Sequence, residues 1–380
     1  MDLKVGVVLS DFKVLRPKYS MSQQDSLEWL AAAHTMAERY RLGDGVGKFA
    51  EQIHKLIRRC GCGPESIQSR GHELADFLTL DWDQMRIYRP GGTGIEARTQ
   101  FFAEAAERVF GALYPQETIP PQDLIHVTCT GYDAPSAAQK LVSRRGWHQS
   151  TRVSHVYHMG CYAAMPAIRI AGGYVAGARQ NRTDIVHTEL CTLHLNPSSH
   201  EPEQLVVQSL FADGFIKYSC MSEAGFLGKG FEVHAAHEET VPDSVDAMKW
   251  ICADWGMRMG LSREVPGLIA SRLRGFLDRL AERAGVAYEE LHHSAIFAVH
   301  PGGPKIIDGV QELLELTDAQ VAASQAVLLE FGNMSSATLP HIWDRILRDP
   351  EVPEGKKIVS LAFGPGLTIS GCLLMKVNSA

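Results

Sequence analysis

Apolar and polar positions follow two different periods along the chain, and this predicts both strands and helices. Short apolar or β-branched runs predict strands at 3–9, 124–129, 151–157, 184–190, 215–221, 231–236, 294–299, 357–363 and 368–377. Apolar residues spaced three and four apart predict helices at 22–40, 48–59, 99–113, 136–144, 163–178, 204–210, 243–261, 265–284, 305–316, 318–329 and 334–347. Because strands and helices alternate throughout, the pattern favours an α/β fold with a largely buried sheet.

The alternation restarts near residue 225, and no stretch rich in glycine, serine or charge divides the chain. We therefore expect two α/β halves packed against each other, 1–224 and 225–380. Ser26 is expected to cap the first helix, and residues 71–94 are expected to be irregular.

Composition narrows the class of protein. The chain has 380 residues, 45% of them hydrophobic, which is enough for a large core without disulfides or metals. The formal charge of −7 is spread along the chain and gives no support to nucleic-acid binding. No apolar run approaches the ~18 residues of a membrane span, and the first residues do not resemble a signal peptide. A cytoplasmic protein is expected.

The eight cysteines show no disulfide or metal pattern. They are expected to be reduced thiols, and Cys60 and Cys62 lack two further ligands at zinc spacing. His155 with His158 and His234 with His237 likewise lack a carboxylate partner, so no metal site is predicted.

Cys161 is the first candidate for chemistry. It lies between the strand 151–157 and the helix 163–178, where the free N–H groups and the positive end of a helix favour a thiolate. A nucleophile is one interpretation. The other is a small buried thiol, the usual state of a free cysteine.

Two later stretches strengthen the first interpretation. His300 ends an apolar strand and is followed by Pro301-Gly302-Gly303-Pro304, a rigid turn that would fix an imidazole. Asn333 follows Gly332 just before a helix, where an asparagine is most often a cap. The order Cys, His, Gly-Asn is a stronger signal than any one of them.

These stretches resemble the signature sequences of type III polyketide synthases, the chalcone and stilbene synthase superfamily. The similar segments are 159–161, 210–214, 265–268, 299–304, 332–336 and 363–366. The resemblance extends over residues 120 to 376 and is weak over the first hundred. It implies a thiolase-type αβαβα fold of five layers with internally duplicated halves, a homodimer, and no cofactor beyond acyl and malonyl thioester substrates.

The resemblance also implies catalytic roles. Cys161 would be held as a thiolate by the His300 imidazolium and would accept an acyl starter. His300 and Asn333 would donate hydrogen bonds to the thioester oxygen while a bound malonyl unit loses carbon dioxide. The enolate would then attack the acyl group on Cys161 in a Claisen condensation.

Other positions bear on the substrate. Phe211 resembles a gatekeeping phenylalanine, Met259 replaces a second one, and Ala134 replaces a methionine that crosses the dimer interface in plant enzymes. Three cavity threonines are replaced by Cys129, Cys191 and His194, and Gly364 and Pro365 belong to the Gly-Pro-Gly turn. These differences resemble bacterial members that make alkylresorcinols or alkylpyrones from fatty acyl starters. Lys55 and Arg58 resemble contacts to the phosphates of coenzyme A, with an acyl carrier protein as the alternative donor.

Other functions remain open at this stage. An initiating-type ketoacyl carrier-protein synthase shares the three catalytic residue types but usually performs one condensation. A hydroxymethylglutaryl-thioester synthase would need a glutamate near Cys161, which the sequence does not identify. A non-catalytic scaffold for acyl thioesters usually lacks one of the three residues.

Overall fold

The computed structural model describes residues 6–178, 182–224 and 226–379. Its first elements are β1 (Val7–Leu15), β2 (Tyr19–Ser22), α1 (Gln23–Leu42), α2 (Gly47–Cys60), β3 (Ser69–His72), α3 (Ile95–Leu113), β4 (Asp123–Thr128), α4 (Ala137–Arg144), β5 (Arg152–Tyr157), α5 (Ala164–Gly177), β6 (Thr183–Leu190), α6 (Pro202–Leu210) and β7 (Asp213–Ser222). They are followed by β8 (Gly228–Thr240), β9 (Met248–Ala253), β10 (Gly256–Leu261), α7 (Val265–Ala284), α8 (Tyr288–Ser294), β11 (Ile296–Val299), α9 (Pro304–Leu313), α10 (Asp318–Phe331), α11 (Thr338–Arg348), β12 (Lys357–Gly364) and β13 (Thr368–Ser379). Short 3₁₀ turns precede α5 and α11, at Gly160–Tyr162 and Ser335–Ala337.

The main sheet repeats one topology. Its nine strands lie in the order β11-β12-β13-β8-β1-β7-β6-β4-β5. The series β4-β6-β7-β1 and the series β11-β12-β13-β8 each consist of one parallel pair followed by two antiparallel pairs. The two series meet where β1 pairs with β8 through only Val8↔Glu232 and Leu9↔Phe231. The division at residue 224 stays a prediction.

Three core clusters show how helices and strands are layered. In the central cluster, Ile168 of α5 and Trp343 of α11 pack with strands of both series. A second cluster joins α1, α3 and α4 to the outer face of the first series, and a third joins α7 and α9 to the outer face of the second. Strand β6 is buried along its whole length, as expected for a strand with both faces covered, and its polar side chains Asp184, His187 and Glu189 form hydrogen bonds inside the protein. The expected five-layered thiolase-type α/β fold is confirmed.

The structure corrects several element predictions. The predicted helix 243–261 is wrong, because β9 and β10 form an antiparallel hairpin with Ala253 opposite Gly256. Helix α8 was not predicted. Ser22 rather than Ser26 caps α1, since its hydroxyl accepts a hydrogen bond from Asp25 N at 3.1 Å. The strand predicted at 3–9 begins at Val7 and continues to Leu15, while 3–5 lie outside the described residues.

The structure can be compared with the sequence expectations about membrane spans, metal sites and disulfides. Within the described ranges, no helix combines the length and apolar character needed to cross a membrane. In the same part of the chain, no three potential metal ligands lie together. All eight cysteines are free thiols.

Candidate active site

Cys161 lies in the 3₁₀ turn that leads into α5, and only 8% of its surface is exposed. Gly160 makes this turn possible, because its φ of +76° is a conformation that side chains disfavour. A Cβ on Gly160 would also lie 2.4 Å from Pro365 Cδ. The Gly-Pro-Gly turn at the end of β12 therefore packs directly against the turn that carries Cys161.

Asn333 has a fixed amide orientation. Its backbone N–H donates to Leu210 O at 3.0 Å, and its carbonyl accepts from Ala212 N at 2.9 Å. Its side-chain Oδ1 accepts from Ser335 N at 2.8 Å, so Nδ2 is the nitrogen that remains available. Nδ2 is buried and has no hydrogen-bond partner in the described part of the chain.

His300 follows β11, and its backbone N–H donates to Leu361 O of β12 at 2.8 Å. Strand β12 then ends at Gly364, where a Cβ would lie 2.1 Å from the Tyr162 ring. His300 and the Cys161 turn therefore meet at the same end of β12. The imidazole is 1% exposed, and among the described residues neither ring nitrogen has a partner.

Burial disfavours the charged forms of this pair. It raises the pKa of Cys161 to about 12, partly offset by the Ser335 hydroxyl, which lies 3.8 Å from Sγ. The Asn333 side chain also favours the thiolate, although Nδ2 completes no hydrogen bond. Burial lowers the pKa of His300 to about 3. The free site therefore favours a thiol and a neutral imidazole over the ion pair that the family resemblance implies.

A cavity of about 30 Å³ lies beside Cys161. Its walls are formed by Cys129, Thr130, Gly160, Cys161, Cys191, Phe211, Met248, Lys249, Trp250, Met259, Ser335 and Pro365. The predicted substrate-binding residues Cys129, Cys191, Phe211, Met259 and Pro365 are among them. A space of this volume holds only one or two water molecules.

Four predicted substrate residues do not line the cavity. His194 instead accepts from Met257 N at 3.1 Å through Nδ1 and donates from Nε2 to Thr130 O at 2.8 Å. It thereby fixes β10 to the cavity wall, which corrects its expected place as a lining residue. Gly364 packs behind the Cys161 turn, while Lys55 and Arg58 are exposed on α2.

The sequence interpretation identified Met259 of β10 but missed the part of the wall formed by β9. Trp250 lines the cavity, and its Nε1 donates to Cys129 O at 2.7 Å. The alternation of Met248, Trp250 and Cys252, followed by Asp254-Trp255-Gly256, was the available signal for a hairpin.

Glu189 is a second missed residue, and it supports the cavity wall from behind. It accepts hydrogen bonds from Cys129 N at 3.0 Å and Thr130 Oγ1 at 2.9 Å, and a third from Ser336 Oγ. Burial raises the pKa of Glu189, and these hydrogen bonds oppose that rise. Its carboxyl group in turn helps to raise the pKa of Cys161.

Two family models match the chain. The N-terminal domain of chalcone and stilbene synthases matches residues 97–218, and the C-terminal domain of the same family matches residues 232–378. Among curated proteins, the probable polyketide synthase 1 of Dictyostelium discoideum is 29% identical over 258 residues, which is 67% of this chain. The matched part is only 8% of that much longer protein.

Solved structures share the fold over nearly the whole chain. PKS-I from the brown alga Ectocarpus siliculosus has a TM-score of 0.84 and 22% identity, covering 98% of this chain and 99% of that one. The C-terminal type III polyketide synthase domain of Steely1, a type I/III hybrid from Dictyostelium, has a TM-score of 0.78 and 23% identity, with 98% of each chain covered. The 1,3,6,8-tetrahydroxynaphthalene synthase of Streptomyces coelicolor A3(2) has a TM-score of 0.78 and 23% identity, covering 98% of this chain and 100% of that one.

Proposed function

The chain belongs to the chalcone and stilbene synthase family of condensing enzymes, and on that premise we propose that it is a type III polyketide synthase acting through Cys161. One observation carries most of this proposal. Near the candidate nucleophile, His300 and Asn333 present buried side-chain nitrogens that have no hydrogen-bond partner among the described residues. An unpaired buried polar group costs about 1–3 kcal/mol, and the thioester oxygen of a substrate would satisfy these groups.

The first step is acyl transfer. The neutral His300 imidazole has one acceptor nitrogen, which takes the proton from Cys161 Sγ as the acyl thioester binds. The resulting thiolate attacks the thioester carbon, a new C–S bond forms, and the bond to the carrier thiol breaks. The proton held by His300 passes to the departing thiolate.

The second step is decarboxylative condensation. The malonyl C–C bond breaks, carbon dioxide leaves, and the electron pair becomes an enolate whose oxygen accepts hydrogen bonds from His300 and Asn333 Nδ2. The enolate carbon attacks the acyl group on Cys161, and the thiolate departs. The orientation of Asn333, fixed by the bond from Ser335 N, keeps Nδ2 rather than Oδ1 available as the donor.

The identity of the acyl starter and of the products is less constrained than the condensation chemistry. The sequence predicts a fatty acyl starter and alkylresorcinol- or alkylpyrone-type products, with malonyl-coenzyme A as extender. The cavity of about 30 Å³ has no room for an alkyl chain unless Trp250 and Met259 move. The fatty acyl starter therefore stays a prediction that depends on such a rearrangement.

Coenzyme A contacts and dimerisation are also proposals. Lys55 and Arg58 on the exposed face of α2 would attract the phosphates of coenzyme A. Strand β5 lies at one edge of the main sheet, where a second copy could extend it. The ketosynthase and scaffold alternatives are disfavoured, because both family models are those of chalcone and stilbene synthases.

Intact-protein mass spectrometry tests the proposal. The protein is incubated with acyl-coenzyme A thioesters of increasing length, and malonyl-coenzyme A is then added. We expect one acyl adduct in the natural protein and in Cys252→Ala, which removes an exposed thiol, and none in Cys161→Ala. Malonyl-coenzyme A should clear the adduct and release an extended product. Loading of Cys161→Ala would refute the nucleophile, and an adduct that never clears would refute the condensation.

A further inference from the structure

A second cavity, of about 430 Å³, lies next to the Asn333 turn and shares no lining residue with the cavity at Cys161. One wall is the segment from Leu15 to Ser20, and another is the face of β3 that carries Ser69 and Gly71. Met334 and the end of α10 complete it. Its volume lies within the range of ~300–1,000 Å³ that is typical of small-molecule sites. The proposed condensation does not use this cavity.

Arg16 supplies a positive charge at the cavity. Its guanidinium lies 3.7 Å from the centre of the Phe331 ring, a geometry that holds the side chain in place. The nearby carboxylates are occupied, because Glu330 pairs with Arg345 at 2.7 Å and Asp344 pairs with Arg348 at 2.8 Å. Within the described ranges, Arg16 itself forms no ion pair or hydrogen bond, so its N–H groups remain available.

His341 supplies a neutral acceptor. It is 5% exposed, and its Nδ1 donates to Ala337 O at 2.8 Å. Burial lowers the pKa of His341 to about 4, so the ring is neutral at pH 7 and Nε2 carries a lone pair. In the part of the chain that the structure describes, Nε2 has no hydrogen-bond partner and remains accessible to solvent. It therefore opens on the cavity that His341 lines.

The charge balance favours an anion over a cation. Two carboxyl groups line the cavity, those of Glu330 and Asp213. Glu330 is neutralised by Arg345. Asp213 already accepts hydrogen bonds from Glu73 N at 2.8 Å and Thr192 N at 2.9 Å. Arg16 is the lining charge that no ion pair of the described residues neutralises, although Glu330 and Asp344 attract it at longer range.

We propose that this cavity binds a small hydroxylated aromatic carboxylate. The carboxylate would pair with the Arg16 guanidinium, whose two-pronged geometry suits it. The ring would pack on the apolar atoms of Leu15, Pro17 and Met334, which line the cavity. A hydroxyl group would donate to His341 Nε2. The ligand would therefore lie beside Met334, the residue that follows the catalytic Asn333.

Calorimetric titration with 2,4-dihydroxybenzoate tests this site, with resorcinol and benzoate as probes that lack the carboxylate or the hydroxyls. We expect saturable one-to-one binding to the natural protein and to Cys161→Ala, which separates this site from the condensation chemistry. Resorcinol should bind roughly tenfold more weakly or worse. Benzoate should bind several-fold more weakly, because it leaves Nε2 unpaired.

Two variants locate the site. Arg16→Gln, at an exposed position, should reduce the affinity for 2,4-dihydroxybenzoate by roughly tenfold or more, and His341→Phe should reduce it several-fold. Arg272→Gln removes an exposed arginine on α7 and should leave the affinity unchanged. Absence of saturable binding to the natural protein would overturn the proposal. Equal affinity in Arg16→Gln would do the same, because the probe would then sit elsewhere.

Discussion

Replacement of Trp250 by alanine tests whether the indole limits the length of the acyl starter. Trp250 lines a cavity of about 30 Å³, and loss of the indole should add on the order of 100 Å³, approaching the ~150 Å³ engineered cavity that admits benzene. Each buried methylene is worth about 0.8 kcal/mol, or roughly fourfold in affinity. Starters two or three methylenes longer than the natural limit should therefore gain on the order of 10-fold to 100-fold in kcat/KM.

The variant should also be less stable. Trp250 is partly buried and donates to Cys129 O at 2.7 Å. Complete burial would make Trp→Ala cost about 3–5 kcal/mol, so a smaller loss in the free energy of unfolding is expected. Activity must therefore be compared well below the melting temperature.

The assay measures kcat/KM for a series of acyl-coenzyme A starters that differ by two carbons. Trp255→Ala is the matched control, because Trp255 lies in the same hairpin but outside the cavity wall. The chain-length limit should move to longer starters in Trp250→Ala and stay unchanged in Trp255→Ala. Identical chain-length profiles in the natural protein and Trp250→Ala would refute the reasoning.

Three further perturbations have defined outcomes. Gly160→Ala would combine a strained φ of +76° with a Cβ that lies 2.4 Å from Pro365 Cδ. It should lower the melting temperature and reduce the condensation rate at least about tenfold, whereas Gly173→Ala, within a helix, should be stabilising. Full condensation activity in Gly160→Ala would contradict the packing argument. Lys55→Gln or Arg58→Gln should raise KM for malonyl-coenzyme A several-fold at low salt but leave malonyl-N-acetylcysteamine, which has no phosphates, unaffected; equal effects on both substrates would exclude a phosphate contact. Acid should unfold the protein between about pH 6 and pH 4, because the unfolded chain binds protons near pH 6.5 that the folded state excludes, and each such group removes up to ~1.4 kcal/mol per pH unit. Burial is the main cause of these lowered pKa values, which are about 3 or 4 for His34, His72, His126, His187, His194, His300 and His341. Two buried carboxyl groups act in the opposite direction, Asp213, whose pKa burial raises to about 7, and Glu189, whose pKa burial also raises. Because the seven imidazoles outnumber them, urea unfolding followed by circular dichroism should show stability rising from pH 4 to pH 6; a flat profile would contradict the burial of these rings.

The three catalytic candidates could be found from sequence because each lies where a strand or helix ends beside glycine or proline. Three local features mark them: Gly160, the Pro-Gly-Gly-Pro turn that follows His300, and Gly332. The order of the three motifs along the chain then identified them as one site. Their meeting at one end of β12 follows from the parallel pairing of β11 with β12 and from the contact of Gly364 with Tyr162.

The cavity wall could be predicted only in part, because it depends on contacts between distant segments. The apolar residues of 243–261 also fit a helical period, and it is the antiparallel pairing of β9 with β10 that makes this segment a hairpin. His194 shows the same limit. Its partners, Thr130 and Met257, are more than sixty residues away in either direction, so its role in supporting the wall was not visible from its neighbours.

The central claim is that His300 and Asn333 act as donors to an enolate formed at Cys161. The most direct test measures carbon dioxide release from malonyl-coenzyme A in Cys161→Ala and in Cys161→Ala combined with Asn333→Ala. The account predicts that the single variant still decarboxylates malonyl-coenzyme A, because the donors remain, and that loss of Nδ2 lowers the rate by about 10²–10³. Equal rates in the two variants would contradict the claim, because Asn333 would then contribute nothing to the charge that develops on the thioester oxygen.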